Sequence, residues 1–280
     1  MIIFKNGNFI DETNATISIY DRGFLYGDSI FETIRVYNGK PFAWEQHIKR
    51  LSDGLGFLKY PTELKKQISL ESALHLISIN NISNGILKIN VSRGISPRGY
   101  CIPKTQAPNV IMSTFHPNVI EELYWWRLSI SPIKIFSLDP LNQLKTGCKL
   151  NQVLAKTEAE EAGFNDALFT NEKDEITETS MANFFWIKDD RIFTPPITGG
   201  LLPGITRSIV INICIQNGLL ITEKSGNIND ISIIDAAFLT SSSLGIIGVD
   251  SICGVPLKRH PIISLLYEKY CHLLNQYTQT

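Results

Sequence analysis

Residues 145–159 read KTGCKLNQVLAKTEA, and the rest of the chain is best read outward from them. They set a lysine, Lys145, in a loop just ahead of a helix expected from Lys149 to Ala162 and closed by Gly163. Further on, residues 175–187 read EITETSMANFFWI, which offers Glu178 at a strand end with Asn183 beyond it. Residues 201–207 then read LLPGITR, a Pro-Gly turn opening another helix. The order is an amine, a carboxylate and a helix N-terminus.

Each part has a chemistry and a plainer reading. Lys145 can form an imine with an aldehyde, provided a desolvated or cationic setting keeps it largely neutral. It is otherwise a solvated loop lysine, and Lys149 is its local competitor. Glu178 can pair with a ring nitrogen and keep it protonated, which makes the ring an electron sink, or it is a surface strand glutamate. The N–H groups after Gly204, including those of Ile205 and Thr206, suit a phosphate, unless Thr206 is an ordinary cap. Ser241, Ser242 and Ser243 follow a strand and offer hydroxyl donors, or form a polar turn. Together the three main parts are those that a pyridoxal phosphate enzyme supplies.

Two further groups carry charge. His47 and Arg50 are three apart on the first helix and share a face, so Arg50 can reach a phosphate as a bidentate partner or stay solvated. Arg93, Arg98 and Tyr100 crowd the loop SRGISPRGY after a strand. That suits substrate carboxylates, and equally a salt-bridged turn.

Composition narrows the class. The 280 residues can bury a sizeable core in one large or two medium domains. Hydrophobic residues make up 44% and charged ones 19%, which excludes a disordered chain. Net charge is −1, with no basic cluster, so neither nucleic acid nor an anionic membrane is an expected partner. Five scattered cysteines without C-x-x-C argue against disulfides and a thiolate zinc site and fit a reducing cytoplasm. Five histidines lack ligand spacing, so no metal is expected. The start, MIIFKNGNFIDE, turns polar too early for a signal peptide, and the apolar stretch 236–249 is too short to span a bilayer.

The pattern along the chain predicts two α+β lobes. Residues 2–20 read as a hairpin around Asn6-Gly7 and a further strand, ATISI. The loop DRGFLYGD leads into IFETIRVYNG, where Ile30, Glu32 and Ile34 alternate against Phe31, Thr33 and Arg35. Trp44, Ile48, Leu51, Leu55 and Leu58 are spaced as on a helix, and Thr62 can cap another running to about Asn80. ILKINVSR and NVIMSTF are strands. HPNVIEELYWW departs from the pattern, so a boundary is placed there, giving domains 1–118 and 119–280. The second half holds a strand in RLSISPIKI, the helix after Lys145, short strands DALFT, EITE, NFFWI and RIFT, a helix after Gly204, a strand at 236–240 and a last helix from Pro261. Segregated helices and strands favour α+β over a doubly wound sheet.

With these residues laid out, the chain resembles the fold-type IV (class IV) pyridoxal phosphate family: branched-chain and D-amino acid aminotransferases and aminodeoxychorismate lyases. The likeness runs from YDRGFLYGDSIFETIRVYNGKPF through HIKRL, KINVSRGISPRGY, KTGCKLNQVLAKTEAEEAG, ITETSMANFFWI and TPPITGGLLPGITR to FLTSSSLGIIGV. It implies a two-domain α+β fold, a small N-terminal lobe and a larger C-terminal lobe that binds pyridoxal 5′-phosphate. It also implies a cytoplasmic homodimer with the site between the domains. Lys145 would carry the imine link and shuttle the proton, and Glu178 would face the ring nitrogen. Arg50, the N–H groups of Ile205 and Thr206, and Ser241 or Ser242 would hold the phosphate. Relatives often read K-x-x-N-[YRL], whereas Cys148 and Lys149 stand in the last two places here.

Within the family, FETIRVYNGKPF, SRGxSxRGY and FLTSSSLGI resemble aminodeoxychorismate lyases most. Residues 244–249 lack the glutamate that branched-chain aminotransferases often carry there, and Tyr100 replaces a histidine frequent in D-amino acid aminotransferases. The lyase removes pyruvate from aminodeoxychorismate to leave 4-aminobenzoate, a folate precursor. Phe31, Arg35, Arg98 and Tyr100 would line the substrate side, with Lys149 an alternative second cation. A class IV aminotransferase and a cofactor-binding protein without turnover are the other readings.

Overall fold

A computed structural model describes residues 1–116 and 122–279. The chain divides into two compact units. The first is Met1–Asn118 with Leu144–Cys148 and Tyr277–Thr280, and the second is Val119–Gln143 with Lys149–Gln276. The boundary expected between residues 118 and 119 lies outside the described residues.

The first unit is an antiparallel sheet under helices. Its strands are β1 (Ile2–Lys5), β2 (Asn8–Asp11), β3 (Ser29–Tyr37), β4 (Lys40–Pro41), β5 (Gly85–Ser92) and β6 (Asn109–Phe115), in the order β2-β1-β6-β5-β3-β4. Period-two alternation sends Leu87, Ile89 and Val91 of β5 into the core with Ile30 and Ile34 of β3. Helices α2 (Trp44–Phe57) and α3 (Leu70–Ile79) cover that face with Leu51, Leu55, Ala73 and Leu76. The segment 144–148 lengthens the sheet edge along β3. Phe31 N donates to Lys145 O (2.9 Å) and Gly147 N to Ser29 O (2.9 Å).

Two local expectations fail here. ATISI is not a strand. The Asp11 carboxylate accepts from Thr13 N (2.9 Å) and Thr13 Oγ1 (2.6 Å), turning the chain off the edge of β2. A single helix from Thr62 to Asn80 is likewise not formed. A 3₁₀ turn at Thr62–Gln67 ends first, and Ser69 caps α3 by accepting from Ser72 N (3.1 Å). DRGFLYGD folds into a short helix, α1 (Arg22–Tyr26), capped by the Asp21 carboxylate on Gly23 N and by Gly27.

The second unit is built on a mixed sheet. Its strands are β7 (Trp125–Ile130), β8 (Asp166–Thr170), β9 (Ile176–Thr179), β10 (Asn183–Lys188), β11 (Arg191–Thr194), β12 (Ile221–Glu223), β13 (Ala236–Ser241), β14 (Gly245–Ile252) and β15 (Val255–Pro256). The order is β12-β11-β10-β13-β14-β7-β8-β9. β9 also pairs with β10, so the sheet closes on itself from β10 round to β9. Closure buries every residue of β8 and β13. Helices α4 (Leu150–Glu161) and α5 (Ile205–Gln216) pack on β8 and β13, and α6 (Pro261–Gln279) ends the chain. The apolar stretch 236–249 is thus the β13–β14 hairpin. Two separate sheets with segregated helices make an α+β fold, as expected. Among the described residues no helix is long and apolar enough to cross a membrane.

Gly94, after β5, has φ +79°, and a Cβ there would overlap Ala107 O. Gly94→Ala should therefore lower stability by at least about 2 kcal/mol, read as a fall in the urea midpoint at constant slope. An unchanged midpoint would show that the loop after β5 accommodates a side chain.

Candidate active site

In the first unit, β3 presents a different chemistry on each face. Phe31 is on the half-exposed face. The Lys145 ammonium lies 4.7 Å from its ring centroid and Lys88 Nζ lies 5.1 Å away. Lys145 is half-buried, with its main chain tied to β3. Lys149 instead stands at the N-cap of α4 in the second unit. Cys148 turns its thiol toward the carbonyls of Tyr26 (3.8 Å) and Gly27 (3.6 Å). The thiol is only a weak donor.

Glu32 is on the opposite, buried face, fully excluded from solvent. Arg50 donates to it twice, Nε to Oε1 at 2.8 Å and Nη2 to Oε2 at 2.7 Å, and His47 Nδ1 lies 2.7 Å from Oε2. Arg50 therefore makes a bidentate pair with Glu32. Burial alone would raise the Glu32 carboxyl. The hydrogen bonds from His47 and Arg50 outweigh it and hold the carboxyl at about 2. Burial pushes the His47 imidazole below its ordinary value, and with the carboxylate only able to accept, its proton sits on Nδ1. Arg35 is buried, its guanidinium 5.3 Å from the Tyr37 ring centroid.

In the second unit the expected groups converge at one end of the sheet. Glu178 of β9, Asn183 of β10 and Thr240 of β13 are cross-strand neighbours in one row. Asn183 Nδ2 donates to Glu178 Oε2 (3.0 Å) and to Leu202 O (2.9 Å), and Leu202 N donates to the same Glu178 oxygen (3.2 Å). A Cβ at Gly204, the N-cap of α5, would overlap Asn183 Oδ1. Glycine is what lets the helix start this close to the asparagine. Thr206 lies inside the helix and is not its cap, so the first N–H groups meet no capping side chain. The adjacent Arg207 is turned away, donating to Pro195 O (2.9 Å) and Glu223 Oε2 (2.8 Å). Ser241 ends β13, and its hydroxyl accepts from Leu244 N (3.2 Å), so it also shapes a turn. Ser242 follows, half-buried.

In the first unit's loop after β5, Arg93 is structural. It is 2% exposed and pairs with Asp28 (2.7 Å). Arg98 and Tyr100 are exposed. The sequence reading missed Glu32 and the bridging work of Asn183. Glu32 was nonetheless visible as a carboxylate on the apolar side of an alternating strand.

The amino-transferase class IV family matches residues 29–252. A Methanocaldococcus jannaschii protein provisionally named branched-chain-amino-acid aminotransferase is 32% identical over 91% of this chain and 88% of its own length. The aminodeoxychorismate lyase of Bacillus subtilis is 30% identical over 88% of this chain and 85% of its own. The D-alanine aminotransferase of Listeria monocytogenes is 26% identical over 96% and 95%. A crystal structure of a Legionella pneumophila protein, provisionally named 4-amino-4-deoxychorismate lyase, superposes with TM-score 0.83. It shares 34% identity over 95% of this chain and 97% of that one.

The family's cofactor is pyridoxal 5′-phosphate, and the donor set here fits it. The second unit offers a held carboxylate beside an open helix N-terminus. The Thr240 hydroxyl, 2% exposed, meets no hydrogen-bond partner among the described residues. The first unit offers a half-buried lysine over an aromatic ring.

Glu32 also sets an acid limit on stability. Its carboxyl falls from an ordinary 4.5 to about 2, so its contribution is complete above the unfolded value and is lost as pH drops through that window. Keeping His47 neutral costs stability in the same direction, starting below its ordinary 6.5. Glu32→Gln should cost about 3 kcal/mol at neutral pH and flatten the acid limb, measured by urea unfolding across the acid range. A variant as stable as wild type at neutral pH would mean that the cluster contributes nothing net.

Proposed function

The chain belongs to the amino-transferase class IV family, and from that premise we propose that this enzyme is a 4-amino-4-deoxychorismate lyase, releasing pyruvate and leaving 4-aminobenzoate for folate synthesis. The observation that carries the cofactor chemistry is the Glu178–Asn183–Leu202 arrangement beside Gly204. The lyase reading is supported by likeness to the Bacillus and Legionella proteins, by residues 244–249 lacking a glutamate, and by Arg98 and Tyr100 standing exposed on one turn.

Each residue then has a task. Bound pyridoxal phosphate supplies an electron sink for breaking a bond at the amino-bearing carbon. Lys145 anchors the cofactor and its Nζ moves the proton, with Phe31 beneath the ammonium. Glu178, oriented by the bonds it accepts from Asn183 and the Leu202 amide, faces the ring nitrogen and pairs with its proton. The N–H groups of Ile205 and Thr206 with the hydroxyls of Ser241 and Ser242 hold the phosphate at the positive end of α5. Arg50, held by Glu32, is the cation that this reading assigns to a phosphate oxygen. Arg98 binds a substrate carboxylate with Tyr100 alongside, and Arg35 and Phe31 shape that pocket. The enzyme is a cytoplasmic homodimer in this reading. Ile19, Tyr20, Phe24 and Leu25 are exposed in one run, which suits burial against a second copy.

A second reading, aminotransferase, is favoured by the 32% identity to the Methanocaldococcus protein. In both readings the cofactor residues are the same.

Borohydride reduction of the yellow holoenzyme, followed by peptide mapping, should label Lys145. Lys145→Ala should lose colour and turnover, and Lys149→Ala should keep the label. Labelling of Lys149 would move the anchor to the start of α4.

The reaction is decided by supplying aminodeoxychorismate, branched-chain L-amino acids and D-alanine in parallel. Release of 4-aminobenzoate and pyruvate should exceed keto acid formation by on the order of a hundredfold in kcat/KM. Rapid keto acid formation without 4-aminobenzoate would place the enzyme among the aminotransferases.

A further inference from the structure

The segment DRGFLYGD takes no part in the chemistry assigned above, yet it holds a heavily bonded arginine at the start of α1. Arg22 is 4% exposed. Its Nη1 donates to Gly99 O (2.7 Å), Ser96 Oγ (3.3 Å) and Cys101 O (3.4 Å), its Nη2 to Tyr100 O (3.3 Å), and its Nε to Asp28 Oδ2 (2.8 Å). Its guanidinium lies 5.0 Å from the Tyr26 ring centroid, and the Tyr26 ring lies 5.4 Å from that of Tyr100.

We propose that Arg22 is a positioning residue for substrate recognition, clamping the Ser96–Cys101 turn from its buried side so that Arg98 and Tyr100 are held toward a substrate carboxylate. This rests on the reading above that Arg98 and Tyr100 contact the substrate.

The turn lies beyond the end of β5, and three successive carbonyls, those of residues 99, 100 and 101, point to one place. A planar fork of donors can satisfy three acceptors at once, whereas the ammonium of a lysine is a point charge with three donors on a flexible stem. A buried guanidinium needs a counter-charge, and Asp28 supplies it. The same Asp28 oxygen also accepts from Arg93 Nε (2.7 Å). Arg93 in turn reaches Leu58 O (2.7 Å) and Gln106 Oε1 (2.8 Å). Burial raises the Asp28 carboxyl, but the bonds from Arg93 and Arg22 bring it below its ordinary value, so the anchor stays charged. The main chain reinforces the clamp, with Arg22 N donating to Gly94 O (2.9 Å) and Arg93 N to Asp28 O (3.2 Å).

A loop ordered in advance spares substrate binding the cost of ordering it, so loosening it should weaken binding while leaving the bond-breaking step alone. In the holoenzyme, Arg22→Lys should raise KM for aminodeoxychorismate by on the order of tenfold, with kcat changed by no more than about threefold and the cofactor colour unchanged. The amino acid that reacts in the parallel assay replaces that substrate if the enzyme is an aminotransferase. Trypsin should cut after the exposed Arg98 on the order of tenfold faster, more than any fall in the urea midpoint accounts for. In the Arg98→Ala background, Arg22→Lys should add little to KM, because both act through one contact. Tyr26→Leu, which keeps the Arg22 and Asp28 pair, should move KM and cleavage the same way and serves if Arg22→Lys does not fold. If Arg98→Ala raises KM but neither Arg22→Lys nor Tyr26→Leu does, the inference is overturned and the substrate reading stands. If Arg98→Ala leaves KM unchanged, Arg98 does not hold the substrate, and this role for Arg22 falls with it.

Discussion

A carboxylate on the apolar face of a strand must find partners before helices can close over it, and Glu32 imposes that condition on the first unit. The side chain is fully buried in β3, between Ile30 and Ile34. Leaving it unpaired would cost several kcal/mol, and protonating it would discard the charge. The sequence answers with His47 and Arg50 on one face of α2, which fixes the rotation of that helix over the sheet. β3 is thereby pinned at its centre, and its start carries the edge contacts that hold the Lys145 segment. The core ion pair and the lysine's main chain are two faces of one strand.

The second unit meets a similar requirement with a neutral group. Asn183 gives its amide to a carboxylate and to a main-chain carbonyl, and presses its oxygen against a glycine. One short side chain thus sets both the place of Glu178 and the approach of the chain into α5. An aspartate there would offer no donor and would repel Glu178. A glutamine would keep the donor but move it by one methylene. Coupling two functional elements through one amide makes their separation depend on sheet geometry, which is stiff, rather than on loops.

Much of this was legible in the sequence, for reasons specific to each element. The strands β3 and β5 follow from period two, α2 from its apolar spacing, and α5 from the Pro-Gly turn before it. Lys145, Glu178 and the LPGITR turn stood out because lysine before a helix, glutamate at a strand end and an uncapped helix start each have a chemistry. The failures come from interactions that sequence spacing does not show. ATISI has strand-forming residues, but Asp11 turns it away from any partner strand. The helix expected from Thr62 is interrupted because Ser69 is the better cap. Arg50 and Glu32 were both seen, on a helix face and in an alternation, but they are eighteen residues apart and only the fold joins them.

The distribution of these constraints bears on how one scaffold can serve several reactions. The groups proposed for the cofactor are locked by neighbours: Glu178 by Asn183, Arg50 by Glu32, and α5 by the fit of Gly204. Changing any of them disturbs packing or leaves a buried polar atom without its partner, so substitution there is costly. Arg98 and Tyr100 are exposed, and their substitution disturbs no core. What they need is a fixed main chain, and Arg22 provides it through carbonyl oxygens that every residue type possesses. A clamp that grips the backbone tolerates any side chain on the outer side of the turn. If Arg98 and Tyr100 contact the substrate as proposed, that arrangement frees substrate choice from stability, because the folded core does not constrain those two residues.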